Sequence, residues 1–301
     1  MIDLGVSIAG IDLENPFVLA SGILDENGYT LVEVLRSGAS AVVTKSIGLE
    51  ERKGYIPPVV YELPYGLLNA IGLSNPGIER YSHEISIALR EKKPIIGSVF
   101  GSTPEEFAHL SRRMEDFGVS AVELNLSCPH VKGYGQEVGS DPNLVRDIVR
   151  SVKRKVDVPV FAKLSPNVSD IQAIAEAAID ADGFTLINTV KAMKIDIYAR
   201  QPVLSNVYGG LSGSAIKPVG IRYVYEIASN FDRPIFGVGG ITTAEDAVEY
   251  IMAGASAVQV GTAVARVGKR VFNKLISEMR DFMEREGFSK IGDMKGVALR
   301  R

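Results

Sequence analysis

Two short patterns of apolar and polar residues alternate along this chain. In the first, a polar helical stretch ends at a glycine and a run of apolar and β-branched residues follows. It occurs as RSGASAVVTK at 36–45, DFGVSAVELN at 116–125, DADGFTLIN at 180–188 and MAGASAVQVGT at 252–262. Gly38, Gly118, Gly183 and Gly254 suit the left-handed position that closes a helix, and the residues after them suit a buried strand. In the second, a proline introduces the strand: NPFVLAS at 15–21, KPIIGSV at 93–99, VPVFAKL at 158–164 and RPIFGVGG at 233–240. Proline fits there because the first residue of a strand need not donate to the ladder. The two patterns alternate strictly and predict eight strands, at about 16–20, 41–45, 95–99, 121–125, 159–163, 184–188, 235–239 and 257–261. Amphipathic stretches at 103–118, 141–156, 169–181 and 243–254 fill gaps between them. These open with Ser, Thr or Asp, the residues that cap a helix N-terminus, and several carry Pro or acidic residues in the first turn.

Near-continuous apolar strands alternating with helices describe a parallel sheet covered on both faces. Eight such units point to an α/β fold of the (β/α)8 TIM-barrel type, with residues 1–301 as a single domain. A doubly wound open sheet is the structural alternative. Two stretches break the repeat, 48–75 after the second strand and 191–214 after the sixth. Both are too long for ordinary barrel loops and read as loop or hairpin insertions. They follow strand C-termini, the face on which barrel enzymes keep their chemistry.

Composition narrows the partners more than the fold. The 33 basic and 36 acidic residues leave a net charge of −3, which gives no reason to expect nucleic acid or an anionic membrane surface. No apolar run of spanning length occurs, and MIDLGVSIAGIDLENP has neither the basic nor the apolar segment of a signal peptide. The expected location is cytoplasmic. The one cysteine, Cys128, excludes an intrachain disulfide and a Cys-ligated cluster built from this chain alone. His83, His109 and His130 are too scattered to suggest a zinc site.

The predicted strands end at Ser21, Lys45, Ser98, Asn125, Lys163, Asn188, Gly239, Gly240, Gly261 and Thr262. In a barrel these converge on one mouth. Two lysines, two asparagines and small glycines there suit a planar, polar, anionic ligand. GVGG at 237–240 and VGT at 260–262 end the last two strands, where backbone N–H groups form the usual barrel phosphate site. Cys128 lies just past the fourth strand in ELNLSCPHVKGYGQEVGSDP, before Pro129 and in a glycine-containing loop. A lone cysteine is more often an inert buried apolar residue. This context favours a reactive thiol, which can act as a general base.

The motifs NPFVLASG, VVTKS, LLNAIGLSNPG, ELNLSCPHVKG, AKLSPN, LINT, GGLSGSAIKP, GVGGI and AGASAVQVGT occur in this order along essentially the whole chain. Together they resemble the class 1 dihydroorotate dehydrogenases. VKGYGQEVGSDP, after the cysteine, is more similar to the NAD-linked subclass 1B than to the fumarate-linked 1A. Class 2 enzymes carry an N-terminal membrane segment and a serine base, and this chain has neither. The resemblance implies that dihydroorotate is oxidised to orotate in pyrimidine synthesis, with Cys128 taking the C5 proton and the hydride passing from C6 to N5 of FMN. It implies that Lys45 and Asn69, with the turn through Ala70, Ile71, Gly72 and Leu73, hold the substrate carboxylate and ring. Asn125, Asn188 and Thr189 would bond the pyrimidine edge. Ser21, Lys45, Ser46, Ser98, Asn125, Lys163 and Ile187 would line the flavin, and Gly213, Gly239, Gly240, Gly261 and Thr262 its ring edge and phosphate. Lys163 matches the family lysine on the flavin N1 side, where a cation favours the reduced anion. The family usually has Asn at the positions of Ser98 and His130. Ser98 can still bond the flavin, with shorter reach.

In subclass 1B the electrons leave through a second subunit carrying FAD and a 2Fe–2S cluster, which reduces NAD. The resemblance therefore implies a homodimer of this chain joined by that subunit in a heterotetramer. A fumarate-linked dihydroorotate dehydrogenase is the near alternative. A flavin barrel that reduces pyrimidine bases or tRNA dihydrouridine is another, disfavoured by LLNAIGLSNPG. A flavin-free phosphosugar isomerase or lyase would use Lys163 for a Schiff base or a phosphate, and a non-catalytic barrel would use none of these residues.

Overall fold

The computed structural model describes residues 2–126 and 138–300. Cys128 and His130 lie outside the described residues. The chain begins with an antiparallel hairpin, β1 (Val6–Ile8) and β2 (Ile11–Leu13). The barrel strands are β3 (Phe17–Leu19), β4 (Ala41–Val43), β7 (Ile95–Val99), β8 (Ala121–Asn125), β9 (Val160–Lys163), β10 (Gly183–Leu186), β15 (Ile235–Val238) and β16 (Ala257–Val260). Each pairs in parallel with the next in chain order, and β16 pairs with β3 to close the ring. All eight coincide with predicted strands, ending up to two residues earlier where the chain breaks from the ladder to form the mouth.

Helices cover the outside. The helices Pro104–Asp116, Pro142–Lys153, Ile171–Ala177 and Ala244–Met252 start at their capping residues: Thr103, Asp141, Asp170 and Thr243 each accept a first-turn backbone N–H. At the helix exits Gly38, Gly118 and Gly254 are left-handed, as expected, but Gly183 is not. It lies within β10, and a Cβ there would sit 2.6 Å from the Phe161 ring and 2.7 Å from the Pro234 carbonyl oxygen. Its requirement is space inside the barrel, not a turn.

The barrel interior is layered. At its N-terminal end Ile8, Ile11 and Leu13 of the hairpin pack with Val18, Ala41, Val43, Ile96, Ala121, Phe161, Phe236 and Ala257 into an apolar plug. Phe161 and Phe236 meet with ring centroids 4.9 Å apart. Because side chains alternate along a strand, the next inward positions above the plug include Glu123, Lys163, Thr185 and Gln259, all buried.

The two insertions are one structure. The first forms the hairpin β5 (Val60–Leu63) and β6 (Gly66–Asn69). The second supplies β11 (Val190–Ala192) and β14 (Gly209–Ser212), with a small hairpin, β12 (Ile195–Asp196) and β13 (Gln201–Pro202), between them. β6 pairs with β14, so Gly210 faces Asn69 and Ser212 faces Leu67 in a four-stranded sheet beside the mouth. Leu63, Leu68, Ala70 and Leu204 form its own apolar cluster. No helix among the described residues is long and apolar enough to cross a membrane.

Candidate active site

One cleft at the C-terminal end of the barrel brings together Ser21, Lys45, Ser46, Asn69, Ile71, Gly72, Leu73, Asn125, Lys163, Ile187, Asn188, Thr189, Gly213, Gly239, Gly240, Gly261 and Thr262. They come from nearly every barrel strand end and from both insertions. Of the predicted residues that are described, two do not line it. Ser98 is fully buried behind Ser46, with the two hydroxyl oxygens 2.8 Å apart. Ala70 is turned into the apolar cluster of the insertion sheet.

Ser46 is a hydroxyl hub. Besides Ser98 it faces the Ser21 hydroxyl at 3.4 Å and accepts from Asn125 Nδ2 at 3.0 Å. That bond turns Asn125 Oδ1 toward Asn188 Nδ2, 3.5 Å away. Asn188 Oδ1 accepts from the Thr189 N–H at 2.7 Å. The result is a row of amide groups able to meet a ligand carrying both N–H donors and carbonyl acceptors. Lys45, mostly buried, points its ammonium to within 3.6 Å of the exposed Glu26 carboxylate. The turn beyond Asn69 is fastened: the Gly72 carbonyl accepts from Arg52 Nε at 2.8 Å and the Leu73 carbonyl from Asn75 Nδ2 at 2.8 Å. Gly72 is left-handed, and a Cβ on it would lie 2.9 Å from the Tyr55 backbone nitrogen.

The opposite end of the cleft suits an anion without a side-chain cation. Gly240 is left-handed, and a Cβ there would lie 2.8 Å from both the Gly213 carbonyl oxygen and Lys217 Cβ. The nearby Lys217 ammonium is taken by Asp246, at 2.7 Å, and by Glu249. Gly213, Gly239, Gly240 and Gly261 line this end, where backbone N–H groups can meet an anion, together with Thr262, whose hydroxyl donates to Ser212 at 2.8 Å. A bare glycine cradle at one end and an amide and lysine wall at the other fit a flat phosphorylated cofactor such as FMN. Among the described residues no group of three His, Cys, Asp or Glu side chains is placed to hold a metal.

Sequence reasoning missed Glu123, Gln259 and Ser212. The first two carried a signal: each is a polar residue at an inward position of an otherwise apolar strand. Lys163 Nζ lies 3.2 Å from Glu123 Oε1.

Asp25, in the loop between β3 and the first helix, was also missed. It is 1% exposed, and its carboxylate accepts from the Gly22 N–H at 2.5 Å. Burial pushes its carboxyl up from 3.8 to about 6, against the opposing pull of Lys45 and of that N–H. The acid is therefore harder to ionise in the folded chain than in the unfolded one. Its contribution to stability is intact below about pH 4 and is lost as pH rises through about 6. Asp25→Asn, which keeps an acceptor for Gly22, is expected to stabilise the chain at pH 8 by up to roughly 3 kcal/mol and to make little difference at pH 4. Urea unfolding at pH 4, 6 and 8 checks this, and a gain that did not grow with pH would remove the buried acid as its cause.

Comparison with known proteins agrees with this geometry. Residues 3–283 match the family described as dihydroorotate dehydrogenase. The chain is 66% identical over 300 residues to the "Dihydroorotate dehydrogenase B (NAD(+)), catalytic subunit" of Thermoplasma acidophilum, covering 100% of both chains. It is 63% identical over 301 residues to the protein of the same name from Thermoplasma volcanium, again across 100% of both. With the one from Methanocaldococcus jannaschii it shares 49% over 301 residues, 98% of each chain.

Proposed function

The chain belongs to the dihydroorotate dehydrogenase family, and from that premise we propose that it is the catalytic subunit of an NAD+-linked, cytoplasmic dihydroorotate dehydrogenase of de novo pyrimidine synthesis. Residues 1–301 act as one FMN-binding domain. The observation that carries this reading is the single cleft in which an amide row, two lysines and a bare glycine cradle converge.

In this reading Asn125, Asn188 and Thr189 hold the pyrimidine edge of dihydroorotate. Lys45, Asn69 and the turn through Ile71, Gly72 and Leu73 hold its carboxylate end. Ser21, Ser46, Lys163 and Ile187 border the flavin ring, and Gly213, Gly239, Gly240, Gly261 and Thr262 its phosphate end. FMN, when bound, supplies the acceptor for the hydride the substrate loses. Cys128 takes the accompanying proton. The flavin-free alternative loses ground at Lys163: a Schiff-base lysine must offer a free amine, and this one is paired with a buried carboxylate.

Electrons leave through a partner that carries FAD and a 2Fe–2S cluster, docked on a homodimer of this chain in a heterotetramer. The test is purification followed by anaerobic addition of dihydroorotate. We expect close to one FMN per chain, bleaching of the flavin absorbance, and release of orotate. A chain that retains no FMN after reconstitution, or whose FMN stays oxidised under dihydroorotate, would overturn the assignment.

A further inference from the structure

Glu123 is fully buried in the middle of the barrel and is not among the residues that line the cleft. On β8 the inward side chains are Ala121 in the apolar plug, then Glu123, then Asn125 in the cleft. The carboxylate therefore sits one step beneath the site. Three side chains from three other strands converge on it: Lys163 Nζ at 3.2 Å on Oε1, Thr185 Oγ1 at 3.0 Å and Gln259 Nε2 at 2.8 Å on Oε2. Two of those three, Lys163 and Gln259, also line the cleft.

Stability does not account for this cluster. A buried ion pair must recover the desolvation of both ions, and a well-packed apolar replacement often does as well or better. The layer just below shows that this barrel accepts apolar filling. The cluster does, however, settle the cleft above it. Of the described residues lining the cleft, only Lys45 and Lys163 carry formal charge, and both are cationic. Glu123 is the buried counter-charge of one of them. It also sets the Gln259 amide, because a carboxylate accepts only and so takes the NH2 end. Gln259 Oε1 is left without a partner among the described residues.

We propose that Glu123 is a positioning residue for the flavin chemistry: it fixes Lys163 and Gln259 where they line the cleft and, as the counter-charge of Lys163, limits the positive field a bound flavin would feel. This rests on the FMN reading of the cleft. A lone cation in the cleft would stabilise a reduced, anionic flavin strongly. Paired with Glu123, Lys163 would do so less, which keeps reduction reversible enough for electrons to leave.

The two members of the pair must then act in opposite directions. In the FMN-loaded chain, Glu123→Gln keeps an acceptor for Lys163 but removes the negative charge. It should raise the flavin midpoint potential by about 30 mV or more, a tenfold shift of the two-electron equilibrium. Lys163→Met should lower it by a similar amount. The readout is a spectroscopic redox titration against reference dyes, with FMN content measured on the same samples and no substrate present. If Glu123 were only a structural support, its loss would displace Lys163 and the potential would fall with both variants. That result, or an unmoved potential in Glu123→Gln, overturns the proposal. Should Glu123→Gln fail to fold, Glu123→Asp draws the charge back by one methylene and should raise the potential by a smaller amount, a fall or no change again overturning it. A wild-type chain that takes up no FMN would instead overturn the functional assignment and is recognised before any variant is titrated.

Discussion

Cys128→Ala is expected to retain FMN and to lose about 10²–10⁴-fold in dihydroorotate oxidation, the usual contribution of a general base. Forming the ring double bond of orotate removes a proton as well as a hydride, and the proton needs an acceptor. The described side chains that line the cleft offer no carboxylate and no imidazole. The polar ones are amides, hydroxyls and two lysines, and those lysines face Glu26 and Glu123. Cys128, the one cysteine of the chain, lies outside the described residues and follows the fourth barrel strand in sequence. A thiol ionises near pH 8.5 and is within reach of neutral conditions. A serine hydroxyl is far harder to deprotonate, so Cys128→Ser should keep only a trace of activity. The measurement is the anaerobic rate at which dihydroorotate bleaches the flavin in wild type and both variants. Wild-type rates in the alanine variant would take Cys128 out of the mechanism.

The repeat that betrayed the barrel is local, which is why it could be read. A helix-ending glycine or a strand-opening proline is a property of a few adjacent residues, and each marked a strand to within two positions. The mouth followed from the strands, since a fixed number of residues carries each one to its C-terminal end. Pairing at a distance was not legible in the same way. β6 and β14 form one sheet although Leu68 and Leu211 are far apart in the chain, and nothing local in either insertion names the other as its partner. The hairpin plug of β1 and β2 is too short for its alternation to stand out. Gly183 looked like the other helix-ending glycines because its context was the same, while its real constraint is the Phe161 ring on the neighbouring strand. Ser98 illustrates the limit at the site: its place at a strand end was readable, but that Ser46 would stand between it and the cleft was not. Glu123 was visible as a polar residue in an apolar strand, yet only three-dimensional neighbours reveal it as the partner of Lys163.

The isolated chain is expected to pass electrons from dihydroorotate to artificial dyes but not to NAD+. Once reduced, the flavin must be reoxidised before the next turnover, so an exit is as necessary as the base. A nicotinamide site of the dinucleotide-binding type needs a glycine-rich turn between a strand and a helix, spent on the pyrophosphate. The turns of that kind in this barrel, at Gly239–Gly240 and Gly261, already open into the cleft proposed for FMN. A 2Fe–2S cluster needs four thiolates, or two with two histidines, and the chain has one cysteine. The relatives named as catalytic subunits of an NAD(+) enzyme carry, by that name, the implication of a further subunit. NAD+ reduction should therefore appear only when an FAD- and cluster-bearing partner is added to the chain. The same preparation is assayed with a dye, with NAD+ and with fumarate, first alone and then with the candidate partner. Efficient NAD+ reduction by the chain alone would sink the idea, because it would require a nicotinamide site within this barrel. Fast turnover with fumarate alone would place the exit at the cleft mouth, where a small dicarboxylate could follow orotate into the same site. It would leave the roles argued for Cys128 and Lys163 as they stand.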